Sequence, residues 1–318
     1  MLWLYILVFI VACVILLKSG TSAVKVLVRI ARFLKWSEFI TAFLLMAFTT
    51  SLPEFFVALT SAFNKKTEIA FGNVMGSNII NLTWAVALPV MLAGSLKARS
   101  LIARRSSLYA VIIAVLPLFL ILDGNLSRLD GFLLLFVVLL YIKNLLEQKK
   151  RFAKPVNDAE KDWAATRGFL KDLLIFFLAA AFLLLSAQAI VWAASQIASL
   201  AGVSLVFISI LFVALGTTLP EVIFGLKSVF LNHKDMVLGN LMGSVAANVG
   251  LVLGLAVLIH PLKVADFSPY LSGIAFTIAG VLFFSLFIRS ERQITRGEGV
   301  FLILLYLAFV LSQVLLGS

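Results

Sequence analysis

Apolar runs of about twenty residues recur along the whole chain, broken only by short polar connections, and they constrain its fold more than any other feature. Coiled as an α-helix, a run of that length spans the roughly 30 Å hydrocarbon core of a bilayer. Backbone inside that core must satisfy its own hydrogen bonds, so repeated spans fold as a helical bundle. Ten runs stand out, at roughly 2–24, 36–63, 68–94, 103–122, 129–146, 168–195, 203–231, 235–260, 268–288 and 298–316. Composition agrees, with 62% hydrophobic and 13% charged residues, against about half and about a quarter in a soluble domain. The expected fold class is an all-α polytopic membrane protein of ten transmembrane helices.

The net charge of +11 is no sign of a nucleic-acid partner, because the basic residues lie in the connections between spans. Assigning each Lys and Arg to its nearest connection, on alternating sides, puts 22 of the 26 on one side. By the positive-inside rule that side is cytoplasmic. Both termini are then expected outside and the longest polar segment, 147–167, inside, with the cell membrane as the expected host. This segment divides the chain into a first five-helix unit at 1–146, a cytoplasmic linker at 147–167 and a second five-helix unit at 168–318. The first run, Leu2 to Leu17, has Lys18 after it and no basic residue before it, the reverse of a signal peptide, so it is expected to be a retained span. The single cysteine, Cys13, excludes an intramolecular disulfide.

Segment 47–81, AFTTSLPEFFVALTSAFNKKTEIAFGNVMGSNIIN, returns without a gap as 214–248, ALGTTLPEVIFGLKSVFLNHKDMVLGNLMGSVAAN, at a constant offset of 167. Five spans per half is an odd number, so the second half enters the membrane in the opposite sense. That predicts two inverted-topology repeats with a binding site near the midplane, where the repeats meet.

Glu54 and Glu221 are the acidic residues that fall well inside apolar spans. A charge there costs about 2.5–3.5 kcal/mol even on insertion scales, which marks such residues as functional. Lys227 is the nearest base, toward the end of its span. Pro53 and Pro220 precede them and are expected to break their helices, freeing carbonyls near 47–50 and 214–217. Thr50 and Ser51 share a helix face with Glu54, as Thr217 and Thr218 do with Glu221. Asn73, Ser77 and Asn81 recur every fourth residue, as do Asn240, Ser244 and Asn248. Ser77, Ser244, Asn81 and Asn248 are the candidate ligands among them, while Asn73 and Asn240 fit ligation or helix packing equally. Gly72 with Gly76 and Gly239 with Gly243 are spaced for close helix approach. A donor set made only of oxygen selects hard cations such as sodium, calcium, magnesium or manganese.

The paired segments resemble the alpha repeats of the calcium/cation antiporter superfamily, the sodium/calcium exchangers, in a form without a large cytosolic regulatory domain. TTSLPE and GTTLPE are similar to that family's Gly-Thr-Ser-x-Pro-Glu signature, and GNVMGSNIIN and GNLMGSVAAN to its Gly-Asn-x-x-Gly-Ser-Asn partner. The resemblance implies calcium between the Glu54 and Glu221 carboxylates and the carbonyls of Thr50 and Thr217. It implies one sodium position formed by the Ala47 carbonyl, Thr50, Ser51, Glu54 and Ser244. The mirror position would use the Ala214 carbonyl, Thr217, Thr218, Glu221 and Ser77, with a middle position beside Asn81 and Asn248. Val245 stands where the family usually has Asn, Thr49 where it has Gly, and Asn248 where potassium-dependent members carry Asp. The last departure argues against potassium cotransport.

The expected activity is secondary active exchange of sodium for calcium by alternating access. Calcium and sodium are then the transported ions, the bilayer is the surroundings, and neither a catalytic residue nor a cofactor is expected. Proton-coupled calcium or manganese exchange and a passive cation channel are the competing functions. An enzyme is not expected, because no nucleophile–base set stands out.

Overall fold

The computed structural model describes residues 2–33, 46–97, 101–149, 163–230, 235–264, 266–290 and 293–316. Within them the chain is almost wholly helical. In order come α1 (Leu2–Phe33), α2 (Met46–Thr50), α3 (Leu52–Phe63), α4 (Thr67–Leu82), α5 (Trp84–Ala93), α6 (Leu101–Leu120) and α7 (Arg128–Lys149). After them follow α8 (Trp163–Ala201), α9 (Leu205–Ile208), α10 (Ala214–Phe230), α11 (Asp235–Ala247), α12 (Gly254–Ile259), α13 (Ser268–Ser290) and α14 (Arg296–Leu316). Wider π-helical turns at Ser209–Val213 and Asn248–Leu253 join α9 to α10 and α11 to α12. Among the described residues seven helical stretches are long and apolar enough to cross a membrane: Leu2–Leu27, Thr67–Ala93, Gly168–Ala201, Leu205–Phe230, Val237–Ile259, Ser268–Ile288 and Arg296–Leu315. Leu52–Phe63 and Tyr109–Asp123 are shorter apolar helices.

The expected span at 36–63 begins on residues outside the described ones, and so do residues 150–162 of the expected linker. Helices α7 and α8 run into that linker from either end, to Lys149 and from Trp163.

Burial sorts the helices by role. Every residue of α4 except Glu68 is buried, as befits a helix at the centre of a bundle. On α1 and α8, by contrast, Trp3, Leu4, Leu7, Leu174, Phe177 and Leu185 are exposed. Apolar surface of that extent would aggregate in water and is natural against lipid. The two helices pack along one another. Tyr5 meets the edge of Trp192 with ring centroids 5.1 Å apart. Elsewhere along the same pair, Arg29 grips Asp172 bidentately, with Nε 2.9 Å from each carboxylate oxygen and Nη2 2.6 Å from Oδ1.

Glycine brings α4 against the second half of the chain. A Cβ on Gly72 would lie 2.8 Å from the Ser209 Cβ, and one on Gly76 would collide with the Ile210 carbonyl oxygen. That is the close approach expected of this glycine pair.

Two departures from the sequence reading have plain causes. The first expected break is present: α2 stops at Thr50, and Pro53 sits in the first turn of α3, where its missing N–H removes no helical bond. The second is absent, since α10 runs unbroken through Pro220. The π turn at Ser209–Val213 precedes it, and a wider turn can adjust the register before the proline. Pro220 still has no N–H to offer the Gly216 carbonyl one turn back. Four short strands also join an otherwise helical fold. β1 (Ser95–Lys97) pairs antiparallel with β4 (Gln293–Thr295), and β2 (Asn125–Leu126) with β3 (Leu262–Lys263). They satisfy backbone groups of the connections where the helices end. Shifted by 167 residues, Ser95 falls on Leu262 and Leu126 on Gln293, so one kind of ribbon is made twice.

Candidate functional site

Glu54 lies in the first turn of α3, fixed there by the helix start after Ser51. Glu221 lies midway along α10, one residue after Pro220. Both are completely buried, and the two carboxylates are close enough to repel each other. Among the described residues neither makes an ion pair; the pairs present are Arg29–Asp172 and Lys143–Glu147. Lys227 is exposed at the end of α10. Two unpaired carboxylates inside a low-dielectric bundle repel one another and lack solvation, and a bound cation relieves both costs.

The oxygen groups around them are contributed across the two halves of the chain. Glu54 Oε1 accepts from Thr218 Oγ1 at 3.2 Å and from Ser77 Oγ at 3.4 Å. Ser77 Oγ, 2.8 Å from Thr218 Oγ1, is an alternative acceptor for that hydroxyl's single proton, as is the Ala214 carbonyl. Thr217 lies 3.4 Å from Ser77, and its one proton can go to Asn73 Oδ1 at 2.9 Å or to the Ala214 carbonyl. The mirror cluster joins Thr50 to Ser244 at 3.2 Å and to Asn240 Oδ1 at 3.5 Å. Residues of α2 thus meet α11, while residues of α10 meet α3 and α4.

Thr50, Ser51, Thr217, Thr218, Ser77, Ser244, Asn81 and Asn248 are all buried with the two glutamates. Ala214 is buried as well, and its carbonyl lies 2.7 Å from Thr218 Oγ1 and 3.2 Å from Thr217 Oγ1. Ala47 lies in α2, the helix that packs on α11. Several polar atoms of this set have no hydrogen-bond partner among the described residues. They are Ser51 Oγ, Glu54 Oε2, both oxygens of Glu221, and both carboxamide atoms of Asn81 and Asn248. Thr50 and Ser244 interact with the Glu221 carboxylate from outside hydrogen-bonding geometry. Asn73 and Asn240 each accept a threonine hydroxyl through their oxygen and leave Nδ2 unpartnered, which suits a role in positioning those hydroxyls. Most buried polar groups in proteins are paired, so a cluster of unpaired oxygens around two acids is what a transported cation would complete.

Among the buried polar residues that sequence reasoning did not single out are Asn78 and Thr277, whose side chains find no hydrogen-bond partner among the described residues. Asn78 is inside the repeated motif but off the four-residue spacing of Asn73, Ser77 and Asn81, and Thr277 stands isolated in an apolar span.

A lipid-facing helical bundle whose centre holds two uncompensated carboxylates among hydroxyls and carboxamides defines a membrane protein that handles hard cations. The chain belongs to the sodium/calcium exchanger protein family, whose model matches residues 4–145 and 171–315. It is an integral membrane protein of a transporter family.

Two curated relatives cover nearly the same length. The sodium/calcium exchanger MaX1 of Methanosarcina acetivorans is 27% identical over 340 residues, covering 96% of this chain and 97% of the relative. The inner membrane protein YrbG of Escherichia coli is 28% identical over 276 residues, covering 84% and 85%. Among solved structures, the sodium-calcium exchanger NCX_Mj soaked with sodium and strontium superposes with a TM-score of 0.68 at 24% identity, over 98% of this chain and 99% of that one.

Proposed function

We propose that this cation antiporter exchanges sodium for calcium by alternating access, with Glu54 and Glu221 sharing the calcium ion. The observation that carries the reading is the pair of fully buried carboxylates with no basic partner among the described residues. Two carboxylates neutralise one divalent ion, and the hydroxyl and carboxamide oxygens around them suit calcium and sodium. One sodium position would be formed by Ala47, Thr50, Ser51, Glu54 and Ser244, and the other by Ala214, Thr217, Thr218, Glu221 and Ser77. The contacts of Thr50 with Ser244 and of Thr217 and Thr218 with Ser77 support these groupings, while Glu54 itself now bonds to Thr218 and Ser77 of the second set. In the second position the Ala214 carbonyl would have to release the threonine hydroxyls it can now accept. Asn81 and Asn248 flank the middle position. The family relative MaX1, described as a sodium/calcium exchanger, supports the same ion pair.

The wider architecture is ten spans in two inverted repeats, 1–146 and 168–318, around a cytoplasmic linker at 147–167. Both termini lie outside and the host is the cell membrane. The paired ribbons displaced by 167 residues support the repeat, and the Lys and Arg bias supports the orientation. The test is calcium-45 uptake into proteoliposomes under separate sodium, potassium and proton gradients. Uptake driven by the sodium gradient alone is expected; uptake driven by protons and indifferent to sodium would transfer the reading to proton-coupled exchange.

A further inference from the structure

Outside the cation site, one buried seam holds polar groups that no hydrogen-bond partner among the described residues satisfies. Helices α4 and α13 pack side by side. Phe71, Met75, Asn78 and Leu82 form one face of α4, at steps of four, three and four residues. Tyr270, Gly273, Thr277, Gly280 and Phe284 form one face of α13 at the complementary steps. Phe71 meets Tyr270 with ring centroids 5.4 Å apart, and a Cβ on Gly280 would lie 3.7 Å from the Leu82 Cβ. These two contacts set the register. Asn78 and Thr277 each follow Phe71 and Tyr270 by seven residues, two helical turns, so they face each other across the seam.

Both are completely buried. The Asn78 carboxamide oxygen, its nitrogen and the Thr277 hydroxyl have no hydrogen-bond partner. The equivalent positions in the other half, at the offset of 167, are Val245 and Ala110, both buried and apolar, on the packed helices α11 and α6. This half can therefore be packed dry, and the polar pair is a feature of the α4–α13 seam rather than a demand of the fold.

We propose that a single ordered water bridges Asn78 and Thr277. Water both donates and accepts, so it can serve the carboxamide oxygen or nitrogen and the hydroxyl together, and buried waters are held by two to four such partners. A metal ion would leave the Asn78 N–H₂ unserved, and the carboxylate on these faces, Glu68, lies ten residues, about 15 Å, along α4 from Asn78. The bridge fixes the rotation of α4, whose adjacent Ser77 points at Glu54 and Thr218 in the cation site. It stands independently of which ions are exchanged.

The experiment uses the full-length protein in detergent. A density map fine enough to show ordered solvent should contain one peak between Asn78 and Thr277, unchanged when sodium is replaced by choline. In thermal unfolding, Asn78→Val and Thr277→Val should each lower the melting temperature. The double variant, which makes the seam apolar like its counterpart, should melt above the worse single variant. If the variants fail to fold, the wild-type map decides alone. A seam without a peak overturns the proposal, as does a peak that vanishes with sodium, which would mark a cation site. Strictly additive losses in the variants would also overturn it.

Discussion

Glu54 and Glu221 are matched acids in mirrored settings, yet their surroundings differ. Glu54 Oε1 receives two hydroxyl donors, while both oxygens of Glu221 have none. In the proposed site, an ion between them would supply to Glu221 what Thr218 and Ser77 partly supply to Glu54. Replacing either acid with Gln keeps the shape and removes half the charge that balances a divalent cation. Glu54→Gln and Glu221→Gln are each expected to lower calcium exchange by at least about 100-fold, the cost of losing one charge-assisted set of contacts of ~3 kcal/mol. Both variants should insert and fold, since a neutral side chain is easier to bury. Wild-type exchange rates in either variant, measured as calcium-45 flux per inserted protein, would remove both residues from the site. Most of this constellation could be read directly from the chain: the offset of 167, the Pro-Glu pairs and the four-residue spacing of Ser77 with Asn81 are local patterns. Asn78 could not, because whether a carboxamide beside a ligand faces the site or the next helix depends on packing register.

Helices α1 and α8 are longer than a bilayer requires, 32 and 39 residues where about 20 suffice. Helix α1 runs past the expected span 2–24 because basic residues such as Arg29 look like a connection, yet Arg29 sits on helix and grips Asp172, which lies inside the expected span 168–195. The missing break at Pro220 has a similar origin. A proline's local effect is legible, but a π turn several residues earlier follows from how α10 meets α4. The Arg29–Asp172 grip and the Tyr5–Trp192 contact join α1 to α8 at two separated levels, so in the proposed alternating-access cycle the two helices would move as one body. Arg29 is half exposed, so the grip contributes little to stability, on the order of 1 kcal/mol. Asp172→Asn should therefore leave the melting temperature nearly unchanged but slow exchange about twofold to fivefold, the rate equivalent of that energy. The charge-exchanged pair Arg29→Asp with Asp172→Arg should recover most of the rate. A double variant as slow as the two single losses combined would show that the contact does not couple the helices.

The proposed arrangement of the whole molecule rests on two counts taken together: the odd number of spans expected in each half and the strong bias of Lys and Arg to one side. Cysteine labelling in a Cys13-free background should find linker positions in 150–162 protected from outside in intact cells, and the termini reactive. Outside labelling of the linker would reverse the orientation. The mechanism rests on charge. In the proposed cycle, calcium or enough sodium would neutralise the two buried carboxylates and let α1 and α8 pass over a compact site. Without ions, two unpaired charges would lie beneath apolar helices, at a cost of several kcal/mol, so the ion-free carrier should not change sides. The most direct measurement is calcium efflux from loaded proteoliposomes into a bath lacking both sodium and calcium, compared with a bath containing sodium. Efflux should be fast with external sodium and nearly absent without either ion; equal rates in the two baths would show uncoupled release and contradict obligatory exchange.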